Sequence, residues 1–113
     1  MKLIIAYIKP ESLNAVKQAL YDNKVSKISV TNALGCGEEE GFHEDYRGIG
    51  VEVDLLKKVR LEIAVNNDYV QTVIEAIMKG AKSGKIGDGK IFVIDMVDCI
   101  RIRTGEKGNA AIG

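Results

Sequence analysis

The sequence lacks the features that would mark a membrane, nucleic-acid-binding or metal-binding protein. No apolar run reaches the about 20 residues that span a bilayer, and the N-terminal run, cut off at Lys9 and Pro10, is too short for a secretion signal. Sixteen Lys and Arg residues balance sixteen Asp and Glu residues, so no net charge favours nucleic acid or a membrane surface. Cys36 and Cys99 have no metal-binding or redox spacing. We therefore expect a reduced, cytoplasmic protein.

Catalytic groups are also scarce. His43 is the only histidine, Cys36 has no neighbouring histidine to activate it, and Glu38, Glu39 and Glu40 are typical of a solvated acidic run. No Ser/His/Asp set and no pair of catalytic carboxylates stands out. The sequence therefore favours a binding or regulatory protein over an enzyme.

The hydrophobic pattern of the 113 residues predicts a single domain with the order β-α-β-β-α-β. Inward positions in the third strand should be Val59, Leu61, Ile63 and Val65, and the second helix should bury Val70, Val73, Ile74, Ile77, Met78 and Ala81. The predicted strands are Leu3–Ile8 (buried on both faces), Lys27–Leu34, Val59–Val65, Ile91–Val97 and a short one at Ile100–Arg103; the helices run from Glu11 to Asn23 and from Asn67 and Asp68 to about Gly84.

This order is that of the ferredoxin-like split βαβ fold, an α+β architecture with a long connection between strands 2 and 3. Both helices should cover one face of an antiparallel sheet. Because no segment is left to cover the other face, we expect the chain to form an oligomer.

The connection from Gly84 to Lys90 is rich in glycine and lysine. Closely spaced glycines let backbone N–H groups approach anionic oxygens, and Lys85 and Lys90 add positive charge. The spacing fits a Walker A motif, but Ile91 replaces the Ser or Thr that would hold magnesium, and a strand follows instead of a helix. The segment is not a P-loop, and an ordinary helix-to-strand turn remains an alternative.

Arg101 and Arg103 alternate with isoleucines, so on a strand both guanidinium groups would project from one face. Such a pair suits a phosphate or carboxylate, although an ordinary half-buried strand is the alternative. Together with the Gly84–Lys90 connection, the arginines predict a phosphate site, with the possibility that it crosses a subunit boundary.

Several motifs resemble the PII signal-transduction family along the whole chain. They are Ile8-Lys9-Pro10, Thr31, Gly35, Gly37, Tyr46-Arg47-Gly48, Val53-Asp54, Lys58, Glu62-Ile63, residues 84–93 (GKIGDGKIFV) and residues 100–106 (IRIRTGE). The resemblance implies a homotrimer that binds ATP and ADP competitively between subunits, with Mg²⁺ and 2-oxoglutarate beside ATP. It also implies one domain over 1–113, with a target-docking T-loop at about 37–53, a B-loop at 84–90 and a C-terminal segment at 99–113.

The resemblance also assigns roles to residues. Nucleotide contacts would come from Ser29, Gly35, Gly37, Glu38, Glu39, Glu62, Ala64, Gly87, Asp88, Gly89, Lys90, Arg101, Ile102 and Arg103. The 2-oxoglutarate contacts would be Glu39, Lys58 and Gly87, and Glu39 would be the Mg²⁺ ligand. The docking residues would be Glu44, Tyr46, Arg47, Gly48, Val51 and Asp54, and the expected targets are ammonium-transport channels and the enzymes or regulators of nitrogen metabolism.

Three departures from the family pattern bear on regulation. Val51 replaces the tyrosine that accepts a nucleotidyl group, and Ile49 replaces a serine that is phosphorylated in other members, so we expect no covalent modification at either position. Glu38 and Glu39 replace the usual arginine and glutamine, which predicts weak 2-oxoglutarate binding. Regulation by bound ligands alone remains.

Two alternatives remain from the sequence. One is a small phosphoryl-transfer enzyme on a ferredoxin-like fold, in which His43 accepts phosphate and Lys90, Arg101 and Arg103 clamp it. The other is a PII-like regulator of a transporter outside nitrogen metabolism, such as a bicarbonate transporter.

Overall fold

The computed structural model describes residues 1–36 and 55–113. The strands are β1 (Lys2–Ile8), β2 (Ser29–Gly35), β3 (Leu56–Val65) and β4 (Gly89–Asp95). The helices are α1 (Leu13–Asp22), α2 (Val70–Ala81) and a single turn, α3 (Asn109–Ile112). Short 3-10 turns at Pro10–Ser12 and Asn67–Tyr69 lead into α1 and α2.

The four strands form one antiparallel sheet in the order β2-β3-β1-β4. The two strands of each βαβ unit are separated in the sheet by one strand of the other unit. As a result, β1 pairs with β3 on one side and with β4 on the other. This arrangement confirms the predicted ferredoxin-like α+β fold. No helix within residues 1–36 and 55–113 is both long and apolar enough to cross a membrane.

The core lies between the two long helices and one face of the sheet. The predicted inward positions of β3 are buried, and Ile4, Ala6 and Ile8 of β1 lie beside them. The helices meet closely at Gly80, where an added Cβ would lie 2.6 Å from the backbone of Val16. β1 itself is fully buried on this face only, because its other side chains are half-buried. The prediction that β1 is buried on both faces is therefore wrong for a single chain.

The buried side of α2 is rotated from the predicted one. Met78 is 49% exposed, whereas Ala76 is 3% exposed and packs in the core. Ala76 and Gly80 lie on the side of α2 that faces the core and α1, and Met78 lies outside that side. The prediction from side-chain hydrophobicity that Met78 is buried is therefore wrong.

The C-terminal region differs most from the prediction. β4 begins at Gly89 and ends at Asp95, and Val97 is completely exposed. The predicted strand at Ile100–Arg103 is absent: Ile100 forms one isolated bridge to Lys107, and the chain then turns. The turn is closed by the Gly105 N–H, which donates to the Arg101 carbonyl at 2.7 Å, and Gly105 has a positive φ that suits glycine.

Candidate functional site

The glycine loop, residues 83–90, joins α2 to β4 and has a backbone that requires glycine. Gly84, Gly87 and Gly89 have φ values of 84°, 101° and 111°. Gly89 lies opposite Ile8 in the sheet, and a Cβ on it would lie 1.8 Å from the carbonyl oxygen of Tyr7. Positive φ values of this kind are readily adopted by glycine and rarely by other residues.

Asp88 organises the first half of the glycine loop. Its carboxylate accepts hydrogen bonds from the Ser83 N–H at 2.7 Å, from the Gly84 N–H at 2.9 Å and from the Ser83 hydroxyl. Lys9 Nζ lies 3.9 Å from the same carboxylate. The pKa of the Asp88 carboxyl lies below its usual value. The ionised carboxylate is stabilised by the Ser83 hydroxyl and N–H, by the Gly84 N–H and by Lys9.

Two predicted site residues from other strands lie at the same end of the sheet. Lys58 Nζ is 3.5 Å from the carbonyl oxygen of Gly87, and a Cβ on Gly35 would lie 3.6 Å from Lys58 Cγ. Lys90 follows in β4, where it pairs with Tyr7 and is exposed. Backbone N–H groups and two lysines at one sheet end can bind an anionic group.

A second set of predicted residues lines an open groove of about 350 Å³, which we call the sheet groove. Ser29 of β2 and Glu62 of β3 are partners in the sheet, and Ala64 lies further along β3. Leu3, Cys99 and Ala111 complete much of the lining. The groove offers apolar walls with a hydroxyl and a carboxylate, which suits a planar heterocycle with polar substituents.

Arg101 lies beside the sheet groove, but its side chain is occupied by its own C-terminal segment. Its guanidinium donates to Glu106 Oε1 at 3.1 Å and to the carbonyl oxygens of Ala110 and Ala111 at 3.2 Å and 3.3 Å. Ile102 and Arg103 are exposed, and Arg103 has no hydrogen bond or ion pair with residues 1–36 or 55–113. The prediction that both arginines project from one face of a strand is therefore wrong.

The glycine loop and the sheet groove lie at different ends of the sheet. Lys90 is level with Tyr7 of β1, whereas Glu62 and Ala64 of the groove are level with Ile5 and Leu3, so two to four residues of β1, roughly 7–13 Å, separate the levels. Lys90 and Ser29 also lie on opposite edge strands, three strand spacings or roughly 14 Å apart. Within one chain, the two sets of residues do not converge on one small ligand.

Residues 1–36 and 55–113 leave the sheet face opposite the helices largely uncovered. Phe92 and Ile94 are 46% and 45% exposed there, and the rings of Tyr7 and Phe92 pack edge to face at a centroid distance of 6.3 Å. Arg60 donates to Glu62 at 2.6 Å on the same face. We call this surface, with its apolar strip along β1 and β4, the open face.

The other predicted residues lie outside the described ranges. They are Gly37, Glu38, Glu39, His43, Glu44, Tyr46, Arg47, Gly48, Ile49, Val51 and Asp54. Across residues 1–36 and 55–113, no three His, Cys, Asp or Glu side chains are grouped so that they could hold a metal ion. The predicted Mg²⁺ ligand, Glu39, is not among those residues.

Sequence reasoning missed Lys9 and Ser83, which contact Asp88, and Leu3 and Cys99, which line the sheet groove. The spacing of Ser83 and Asp88, five residues apart around two glycines, is a signal that could have indicated a side chain closing the loop. No local pattern marks Leu3 or Cys99, because they lie far apart in the sequence and only the three-dimensional fold brings them to the same groove.

Comparisons with known proteins agree with the resemblance found in the sequence. The family model described as nitrogen regulatory protein P-II matches residues 1–106. The chain is 48% identical to the nitrogen regulatory protein P-II of Azospirillum brasilense over 112 residues, 99% of this chain and 100% of that protein. It is also 48% identical to P-II 1 of Escherichia coli K12, with the same coverage, and 46% identical to the nitrogen regulatory protein GlnK1 of Methanosarcina mazei over 99% of this chain and 97% of that protein. The chain therefore belongs to the nitrogen regulatory P-II family.

Proposed function

We propose that this chain is a cytoplasmic, homotrimeric signalling protein that binds ATP and ADP in competition and regulates nitrogen metabolism. Residues 37–53 would dock on a target such as an ammonium-transport channel or a nitrogen-metabolism enzyme. The proposal of a nucleotide site shared between subunits rests on one observation. The glycine loop and the sheet groove are separated from each other within one chain. Each chain then presents one half of a site at each end of its sheet.

The two halves have complementary chemistry. The glycine loop, Lys58 and Lys90 suit the phosphates, because backbone N–H groups and ammonium groups bind anionic oxygens. The sheet groove, with Ser29, Glu62 and Ala64, suits the adenosine part. Arg103 is exposed, and it is the arginine that would reach a phosphate bound to a neighbouring subunit.

The open face supports assembly. A half-exposed apolar strip with Phe92 and Ile94 is costly in water, and burial contributes roughly 25 cal/mol per Å². Two different surfaces that meet head to tail form a closed ring when the rotation between copies closes. A ring of three copies would carry one glycine loop and one sheet groove in each of its clefts.

The trimer predicts a specific effect of one substitution. Light scattering should give the mass of three chains, and Phe92→Lys should shift the protein to monomers because it places a charge on the apolar strip of the open face. Tyr21→Lys is the control, since Tyr21 is 69% exposed on α1, on the helical side of the sheet. A monomer mass for the unmodified protein at micromolar concentration would contradict the proposal.

The nucleotide proposal is tested by calorimetry with ATP and ADP, each titrated alone and in the presence of the other. Competition at one site per chain is the expected result. The same samples should show no ATP hydrolysis beyond a trace. We expect this because the relatives are described as regulatory proteins. Rapid hydrolysis or phosphorylated His43 would instead favour the phosphoryl-transfer alternative.

The target is identified by pull-down from the native cell in buffers that contain ATP or ADP. Recovery of an ammonium channel or a nitrogen-metabolism enzyme in only one of the two buffers would support the proposed role. Recovery of a bicarbonate transporter instead would favour a regulator outside nitrogen metabolism.

Binding of 2-oxoglutarate to the MgATP-saturated protein should be weak or absent. By the resemblance, Glu39 would replace a neutral amide beside anionic phosphates and carboxylates, and each close pair of like charges costs about 1–4 kcal/mol, depending on the effective dielectric. Titration of 2-oxoglutarate measures this, and Glu39→Gln should strengthen binding whereas Glu40→Gln, the same change one residue later, should not. Tight binding by the unmodified protein, with no gain from Glu39→Gln, would show that the charge argument is wrong.

A further inference from the structure

Asp88 is an unexpected side chain in a loop that is proposed to bind phosphates. A carboxylate close to phosphate oxygens repels them, so a direct contact between Asp88 and a nucleotide would weaken binding unless a cation lay between them. The resemblance to the PII family nevertheless places Asp88 among the nucleotide contacts. The geometry of the glycine loop offers a different role.

Both oxygens of the Asp88 carboxylate are already engaged within the loop. Oδ2 accepts from the N–H groups of Ser83 and Gly84 at 2.7 Å and 2.9 Å, and Oδ1 accepts from the Ser83 hydroxyl. These bonds connect the end of the loop to its beginning. The carboxylate therefore stabilises the conformation of the loop from within.

The carboxylate also connects the loop to the sheet. Lys9 follows β1 directly, its Nζ lies 3.9 Å from Asp88 Oδ1, and both side chains are 23% exposed. Gly89 is fixed at the same point, because it pairs with Ile8 and its backbone lies so close to the carbonyl oxygen of Tyr7 that no side chain would fit between them. The loop is thus anchored to the end of β1 at two successive residues.

We propose that Asp88 is a positioning residue: its carboxylate holds Ser83 and Gly84 so that the glycine loop presents its N–H groups and Lys90 to the nucleotide phosphates, and it does not contact the nucleotide. Lys9 assists by neutralising the carboxylate and fixing it to β1. This inference depends on the proposed nucleotide-binding function, since it assigns a role within that site.

The two roles for Asp88 predict effects of opposite sign. If Asp88 only faced the phosphates, its removal would relieve repulsion and ATP would bind more tightly. If Asp88 positions the loop, Asp88→Ala should weaken ATP binding roughly tenfold, since hydrogen bonds to a charged group are lost. Asp88→Asn, which keeps the size of the side chain and one acceptor oxygen, should show a smaller loss of affinity.

The experiment is calorimetric titration of each variant with ATP and with adenosine, in Mg²⁺ and in EDTA. Positioning predicts that the loss concerns ATP alone, because adenosine does not use the glycine loop, and that it persists in EDTA. Amide hydrogen exchange at residues 83–90 should be faster in Asp88→Ala than in the unmodified protein without any nucleotide.

Asp95→Asn is the matched control. Asp95 ends the same strand that follows Asp88, it pairs with Lys2, and that pairing lowers the pKa of its carboxyl, but it lies at the far end of the sheet. Its substitution should leave ATP affinity and exchange at residues 83–90 unchanged.

Unchanged or tighter ATP binding by Asp88→Ala would overturn the positioning role. A loss that disappears in EDTA would also overturn it, because Asp88 would then act through the metal ion. Failure of the unmodified protein to bind ATP would instead refute the proposed function itself, so the two failures are distinguishable.

Discussion

Replacing Lys90 by alanine should weaken ATP and ADP binding about ten- to a hundredfold, which corresponds to roughly 1.5–3 kcal/mol for one charge-assisted contact. Lys90 lies at the start of β4, directly after Gly89, and its exposed side chain is at the end of the sheet where the glycine loop and Lys58 lie. Arg103→Ala should cause a loss of affinity of similar size, although Arg103 lies in the exposed C-terminal turn that follows β4.

Mixing the two variants tests whether the site is shared. If each site takes Lys90 from one subunit and Arg103 from the next, a trimer of one variant has no intact site, but every mixed trimer has one. Co-refolded Lys90→Ala and Arg103→Ala chains should therefore recover tight binding at part of their sites. A site within one chain would show no recovery, and unchanged affinity in both single variants would reject the proposed residues.

Arg101→Ala is expected to act differently from Arg103→Ala. Its guanidinium is bonded to Glu106 and to the carbonyl oxygens of Ala110 and Ala111, so its loss should also release the C-terminal turn from the wall of the sheet groove. Hydrogen exchange should increase at residues 106–112 in Arg101→Ala but not in Arg103→Ala. Equal exchange in both variants would show that these contacts do not hold the segment.

The fold was predictable from the sequence because one-sided burial leaves a periodic trace. Alternation at Val59, Leu61, Ile63 and Val65 records the face of β3 that packs on the helices. The same alternation at Ile100–Arg103 was misleading, since Gly105 turns the chain back before a strand can pair. Local periodicity reports a preference, and backbone turns decide whether it is realised.

The site was predictable in composition but not in arrangement. The glycines and Lys90 are visible as a motif, whereas the distance between the glycine loop and the sheet groove depends on strand order and register. The partners of Asp88 and Arg101 are mostly backbone N–H and carbonyl groups, which every residue carries and which no residue pattern marks. Apart from the contact of Asp88 with Ser83, which the spacing of the two residues could have indicated, these contacts could be found only from the three-dimensional structure.

The largest loss of stability from a single added methyl group is expected at Gly89. Gly89→Ala combines a positive φ of 111° with a Cβ that would lie 1.8 Å from the Tyr7 carbonyl oxygen, so β4 must move away from β1. Gly84→Ala is the matched control, since its φ is 84° but a Cβ there meets no atom within 4 Å. The free energy of unfolding of Gly84→Ala should fall only by the cost of a positive φ, about 1–2 kcal/mol. Gly89→Ala should lose roughly 2–5 kcal/mol, because forced displacement of packed backbone adds to that cost.

Thermal unfolding at one fixed chain concentration measures both variants, since the stability of an oligomer depends on concentration. For a domain near this size, each kcal/mol corresponds to about 4–8 °C in Tm, so the two variants should be clearly separated. The strain in Gly89→Ala should also reach Lys90, which is the next residue, and weaken ATP binding in molecules that remain folded. Equal Tm values for the two variants would mean that β1 and β4 are not in contact at Gly89, and this would contradict the register that pairs Gly89 with Ile8.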